Sequence, residues 1–336
     1  MTTLVVELTD RCNLRCGHCT SGRHGGGHAL TMALLERVLA EARGCGIDCF
    51  AFTGGEPLLH SPFADVIRMT AAAGMDYALV TNGWLLPKHL HVLRSHSERL
   101  RMITLSLDGA REATHDALRG RGSFRRVMQA ASVCVVYCLP FNFNMALTRD
   151  NRAEAAELVR LAGRIGALGV RFGHLMSDPR PAARGLELTP AERKALDVEL
   201  RALRAAGELP VVFAPGGWSE DLFPCSVLRG DEYNLDRHGR LGLCCHLSGF
   251  AGEEQAVAAD LRETGLAGGL VALKRLRDAL RQEKRQRKAF GDWRDDDNFP
   301  CWYCAKRFGA VDWIHGQPAH PWFDALTGAG DIPGPR

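Results

Sequence analysis

Short apolar runs alternate with helical ones along the first two-thirds of the chain, and this alternation limits the fold more than any other feature. The strand-like runs are "LVVEL", "CFAFT", "YALVT", "MITLSL", "FNFNMAL" and "VRFGHL". Each is followed by a run with helical periodicity: "MALLERVLAEARG", "PFADVIRMTAAAG", "PKHLHVLRSH", "SFRRVMQAASV", "NRAEAAELVRLAGRIG" and "TPAERKALDVELRALRAAG". Six βα units in series predict an α/β fold, a parallel sheet with helices outside it. In barrels of this kind the reacting residues gather at the C-terminal ends of the strands.

The chain has 336 residues, 46% of them hydrophobic, enough for one large domain or two ordinary ones. A formal charge of +3 gives no reason to expect a nucleic-acid partner. "TLVVELT" follows Met1 directly, with no secretion signal before it, and no apolar run reaches membrane-spanning length. A cytoplasmic protein without a membrane partner is expected. There the twelve cysteines stay reduced, so clustered ones are read as metal-binding or catalytic.

Three of them, Cys12, Cys16 and Cys19, fall within eight residues of "ELTDRCNLRCGHCTSG" in the pattern C-x3-C-x2-C. A structural zinc ion wants four ligands, usually as two short pairs. His18 would be the fourth, but beside Cys19 it strains a tetrahedral site. An iron–sulfur cube accepts thiolates at this spacing. With three thiolates, one iron stays open for an exogenous ligand.

Further motifs sit at strand ends. "CFAFTGGEPLL" places Gly54, Gly55, Glu56 and Pro57 after the second strand; "YALVTNGWLL" ends in Thr81, Asn82 and Gly83; "MITLSLDGA" ends in Ser106, Asp108 and Gly109. With the cysteine triad and "LRGRGSF", this set resembles the radical S-adenosylmethionine (SAM) superfamily. The resemblance implies an open, partial (β/α)6 TIM-like barrel. It implies a [4Fe–4S] cluster on Cys12, Cys16 and Cys19 whose open iron chelates the amino and carboxylate groups of SAM. Gly54, Gly55, Glu56 and Pro57 would then line the methionyl amino group, and Asn82 and Ser106 the carboxylate or ribose. Asp108 and, on the fifth strand, Asn144 are the further positions expected to face the cofactor. Reductive cleavage, fed by a flavodoxin- or ferredoxin-type reductant, would yield a 5′-deoxyadenosyl radical. By itself the Gly-Gly pair also reads as a tight βα turn. "HGGGH", from His24 to His28, reads as a loop beside the cofactor in preference to a metal site.

The chain changes character after about residue 210. Cys225 precedes a predicted hairpin around "DRHG"; Cys244 and Cys245 follow it; "FPCWYCAKR" supplies Cys301 and Cys304. One thiol, another after a glycine turn, then a C-x2-C pair makes a four-thiolate set. It resembles the auxiliary-cluster extension called Twitch, a shortened SPASM domain, and Gly239 to Cys244 matches that family's G-x4-C hairpin. The implied ligands of an auxiliary [4Fe–4S] cluster are Cys225, Cys244, Cys301 and Cys304; zinc on the same four is the competing reading. The expected division is a barrel over 1–208, the extension over 209–318 and a tail over 319–336. Cys45, Cys49, Cys134 and Cys138 read as free buried thiols. The basic run over 274–288 reads as a solvated helix face, with docking of an acidic partner as the alternative.

Relatives with such extensions modify peptides (RiPP maturases), oxidise alcohols or invert stereocentres, so the resemblance implies a peptide or a small natural product as substrate. A separate leader-binding module ahead of the first strand is not expected. Epimerisation is the favoured reading. In a regular strand Cys244 and Cys245 point to opposite faces, so Cys245 would be a spare thiol over the barrel mouth, placed to donate a hydrogen atom. The alternatives are a dehydrogenase or cross-linking maturase that uses the auxiliary cluster as electron acceptor. A non-enzymatic iron–sulfur carrier or sensor is a third reading, disfavoured because a carrier needs no SAM pocket. Glu7 and His174 are further polar residues on apolar strands that could face substrate.

Overall fold

The computed structural model describes residues 1–19, 26–207, 209–214, 216–250 and 253–328. His24 and Gly25 of "HGGGH" and the end of the expected tail lie outside the described residues. The strands are β1 (Thr3–Thr9), β2 (Cys49–Gly54), β3 (Asp76–Thr81), β4 (Leu100–Ser106), β5 (Phe141–Leu147), β6 (Val170–His174), β7 (Val211–Phe213), β8 (Glu232–Leu235), β9 (Arg240–Gly242) and β10 (Val257–Asp260). The barrel helices are α1 (Met32–Ala42), α2 (Phe63–Ala72), α3 (Leu86–Ser95), α4 (Glu112–Arg119), α5 (Ser123–Val136), α6 (Ala155–Ile165), α7 (Pro179–Ala183) and α8 (Pro190–Ala205). Beyond them come α9 (Ser226–Arg229), α10 (Leu261–Ala289), α11 (Pro300–Arg307) and α12 (Phe323–Thr327).

Along β5, Phe141, Phe143, Met145 and Leu147 are buried while Asn142, Asn144 and Ala146 lie on the other face. The period of two sends the aromatic face to the helices and the amide face to the barrel interior. β1 does the same, with Leu4, Val6 and Leu8 in the core. The strands form one open sheet in the order β10-β9-β8-β1-β2-β3-β4-β5-β6-β7. Every pair from β1 to β7 is parallel. The six expected strands therefore gain a seventh, β7, at one edge. At the other, β8 runs parallel to β1. The hairpin at "DRHG" is β8 against β9, closed by Gly239 at φ +83°.

α8 begins with a capping box: Thr189 Oγ1 accepts from Glu192 N–H at 3.1 Å, and Glu192 Oε2 accepts from Thr189 N–H at 2.9 Å. This fixes the helix that carries Asp197. A second core gathers Phe299, Trp302, Val311, Ile314 and Trp322. Trp322 is fully buried and its indole N–H donates to Leu188 O at 2.8 Å. Residues 319–328, expected as part of a tail, thus pack onto the body. Among the described residues no helix is long and apolar enough to cross a membrane.

Candidate functional site

The turn after β2 is built against the cysteine loop. Gly55 N–H donates to Thr9 O at 2.7 Å and Glu56 N–H to Arg11 O at 2.8 Å. A Cβ on Gly54 would stand 2.3 Å from Thr9 O, and one on Gly55 2.3 Å from Arg11 O. Both positions are glycine because two backbones touch there. Glu56 is buried and accepts from Leu58 N–H at 3.2 Å, the Thr81 hydroxyl at 2.7 Å and Asn82 N–H at 2.8 Å. Burial nevertheless pushes its carboxyl up to about 7. Pro57 opens the 3-10 turn Pro57–Leu59. Gly54 and Gly55 line the cavity at the strand ends; Glu56 and Pro57 do not, and Glu56 ties the turn after β2 to the end of β3.

That cavity has a volume of about 310 Å³. Cys12, Cys16, Cys19, Asn82, Ser106 and Asn144 all line it. Ser106 and Asn144 are register partners on β4 and β5, so their side chains are adjacent. Asn82 also holds the cysteine loop to the end of β3. Its Nδ2 donates to Asn13 Oδ1 at 2.9 Å and lies 3.9 Å from Cys12 Sγ, while its Oδ1 accepts from Trp84 N–H at 3.0 Å.

Asp108 departs from expectation. It is fully buried and is not among the described residues lining the cavity. Its carboxylate accepts from Arg119 and from Ala146 N–H at 2.8 Å, and faces His18 Nε2 at 3.2 Å. Burial opposes ionisation, but Arg119 and His18 outweigh it and hold the carboxyl below its ordinary value. Asp108 thus fixes the two groups that do line the cavity, Arg119 and His18. Arg119, at the end of α4, acts electrostatically on Cys16 and Cys19. It is a site residue that the strand–helix pattern missed, although "LRGRGSF" contains it.

Cys12, Cys16 and Cys19 bring three soft thiol donors to one side of this cavity, a donor set that suits an iron–sulfur cube. Among the described residues, no group of three or more His, Cys, Asp or Glu side chains is gathered tightly enough to hold a single metal ion. A cube of iron and sulfide spreads its thiolates wider than one zinc ion does. His18 Nε2 lies 3.2 Å from Asp108 Oδ2, which fixes the ring, and its buried Nδ1 has no hydrogen-bond partner among the described residues. Burial pushes the Cys16 thiol up to about 11, with Arg119 opposing. A thiolate there needs positive charge, which Arg119 and iron would both supply.

A second thiol group lies in the extension. Burial raises Cys225, opposed by the N–H groups of Leu228 and Val227 at the start of α9. Cys301 and Cys304 are three apart on α11 and share a face. Burial raises Cys301 well above its ordinary value, and Cys225, Cys304 and Cys245 add to it. Burial likewise pushes Cys304 up to about 12. Cys244 is raised first by its hydrogen bond with Cys245, then by burial and by repulsion from Cys245, Cys301 and Cys225. These five thiols thus act on one another electrostatically. The expectation that Cys244 and Cys245 take opposite faces of a regular strand does not hold. β9 ends at Gly242, and Cys245 starts a 3-10 turn, Cys245–Leu247, that packs on α11. Among the described residues that turn sends His246, not Cys245, to the cavity.

The other expected polar residues separate. Glu7 does not line the cavity. Its Oε2 accepts from Arg237 Nη1 at 2.8 Å, which ties the β8–β9 turn to β1. His174 does line it. Its Nε2 donates to Asp197 Oδ1 at 2.6 Å and its buried Nδ1 has no partner among the described residues. Burial lowers its pKa against the pull of Asp197. Cys49 and Cys134 are buried as expected, whereas Cys138 is exposed.

Residues 6–162 match the radical SAM superfamily. An AdoMet-dependent heme synthase of Methanosarcina barkeri is 31% identical over 193 residues, 55% of this chain and 54% of that protein. A GTP 3',8-cyclase of Moorella thermoacetica is 33% identical over 198 residues, 56% of this chain and 60% of that one. The chain thus spans little more than half the length of these relatives. Among solved structures, SuiB of Streptococcus suis bound to S-adenosylmethionine superposes with a TM-score of 0.62 at 16% identity, over 74% of this chain and 61% of that one. Native anSMEcpe with bound AdoMet and the Cp18Cys peptide gives 0.63 at 18% identity, over 80% of each. At such identities the likeness is one of fold.

Proposed function

We propose that this chain, whose residues 6–162 are a radical SAM domain, oxidises a peptide or small natural product by two electrons, as a dehydrogenase or cross-linking maturase. The domain's cofactors are a [4Fe–4S] cluster and SAM, and Cys12, Cys16 and Cys19 are the residues that would hold the cluster. Cys225, Cys301, Cys304 and one of Cys244 and Cys245 would hold an auxiliary [4Fe–4S] cluster in an extension that runs from 209 to 328, after a barrel over 1–208. When bound, the two centres supply a 5′-deoxyadenosyl radical that takes a hydrogen atom and a sink for one electron. The first electron comes from a flavodoxin- or ferredoxin-type protein.

This chain's residues do the rest. Ser106 and Asn144 offer paired polar groups to SAM, and Arg119 steadies the thiolates. His174 Nδ1 takes the proton that a substrate radical loses on oxidation, while Asp197 holds the ring. The observation that carries this reading is the cavity wall itself: an imidazole held by Asp197 lines it, and among the described residues the Cys245 thiol does not. A peptide substrate is supported by two structures of this fold, SuiB bound to the precursor peptide SuiA and anSMEcpe with the Cp18Cys peptide.

Epimerisation is the second reading, favoured by one observation: five neighbouring thiols leave one over when four hold a cluster. Turnover in heavy water separates the two. Oxidation gives a product short of two hydrogens and free of solvent deuterium. One deuterium at an inverted centre, lost in Cys245→Ala, would overturn it in favour of the epimerase. If reconstituted protein given SAM and dithionite makes no 5′-deoxyadenosine, the carrier or sensor reading replaces both.

A further inference from the structure

We propose that Lys284, together with Arg193, sets the reduction potential of the auxiliary centre by placing buried positive charge beside its thiolates. The proposal rests on the auxiliary-cluster reading above.

Lys284 sits on α10 within the basic run, yet it is 1% exposed. Its ammonium lies 4.6 Å from the Tyr303 ring centroid and 5.5 Å from that of Trp293. Tyr303 is the residue between the C-x2-C thiols that immediately precedes Cys304. Nearby carboxylates are already engaged. Asp297 pairs with Lys306 at 2.6 Å and Arg287 at 3.2 Å; Glu283 accepts from Tyr303 at 3.0 Å and Arg307 at 2.7 Å. Among the described residues none reaches the Lys284 ammonium within ion-pair distance. Burial lowers its pKa, and the thiols of Cys304 and Cys225 and the Asp297 carboxylate work against that.

Arg193, on α8, is 3% exposed. Its guanidinium lies 4.5 Å over Trp322 and donates to Leu175 O at 2.7 Å, while its Nε has no partner among the described residues. Its guanidinium also lies 5.8 Å from the ring centroid of Phe299, two residues before Cys301. Two buried cations without full ion pairs are expensive unless something anionic completes them. A cluster held by four thiolates is net negative and gains one more negative charge on reduction. In a dry interior, positive charge beside it favours the reduced form and raises the potential.

The test uses the full chain with Cys12, Cys16 and Cys19 replaced by Ala, so that the auxiliary centre is the remaining cluster. Its midpoint is followed by electron paramagnetic resonance during a redox titration. Lys284→Met should shift the reduction equilibrium about tenfold toward the oxidised form, about 59 mV downward for one electron. Arg193→Met should shift it the same way, and Lys284→Arg should stay near the parent. A loaded Lys284→Met protein with the parent's midpoint overturns the inference and leaves the auxiliary cluster standing. A parent with no cluster overturns both. If Lys284→Met does not load, loading by Lys284→Arg supports the need for charge, and failure of both overturns it.

Discussion

A methyl group at Gly54 would stand 2.3 Å from the Thr9 carbonyl oxygen, where no shift of a flexible side chain can relieve the contact. The residue also has φ +128°, which side chains rarely adopt. Gly54→Ala should therefore push the GGEP turn off the cysteine loop. We expect a folded protein by circular dichroism that takes up iron at the auxiliary site and not at Cys12, Cys16 and Cys19; full loading would refute the brace. Asn144 makes a gentler test. Asn144→Ala removes one amide beside Ser106 and should weaken SAM binding by about tenfold, near 1.4 kcal/mol, by calorimetry on the loaded protein. At this scale the sequence told which residues gather at the strand ends and less about what each polar atom does there. Glu56 and Asp108 sit in motifs that suggest ligand contacts, but their oxygens are taken by Thr81, Asn82, Arg119 and Ala146. Those partners come from other strands and helices, and no local pattern names them.

The first six strands are legible because each is long enough to show apolar residues on one face. β7 and β8 are only a few residues long and carry no such signal, so the widening of the parallel sheet at both edges was not. Lys284 was hidden differently: its run reads as a solvated face, and Lys274, Arg275 and Lys288 are exposed, but a helix has a buried side as well. The β8–β9 turn supplies a prediction of its own. Arg237 is nearly buried, with Glu7 at 2.8 Å and Asp10 Oδ2 at 3.7 Å. Arg237→Met would leave both carboxylates without their cation, a loss of about 3–5 kcal/mol by denaturant titration. Burial raises Glu7 from 4.5 to about 7, with Arg237 holding it down. A carboxyl raised in the folded state stabilises below its unfolded pKa and loses that contribution as pH rises through its folded one. Removing Arg237 raises Glu7 further, so the deficit should be larger at pH 8 than at pH 5. A deficit that does not change with pH would mean the pair is not what binds hairpin to barrel.

At the scale of the whole molecule, barrel and extension share one sheet, joined where β8 pairs with β1. One thiol group hangs on the loop after β1. The other is assembled from α9, the turn after β9, and α11. Their cysteines come from separate parts of the chain, so either group should survive loss of the other. The central claim is that the loop after β1 holds the cluster that cleaves SAM while the extension holds a second one. The direct measurement is iron, sulfide and 5′-deoxyadenosine in the reconstituted wild type and in the variant with Cys12, Cys16 and Cys19 all replaced by Ala. The account predicts about eight irons per chain in the wild type and about four in the variant, with SAM cleavage abolished. A variant that still makes 5′-deoxyadenosine, or one that holds no iron at all, would contradict it.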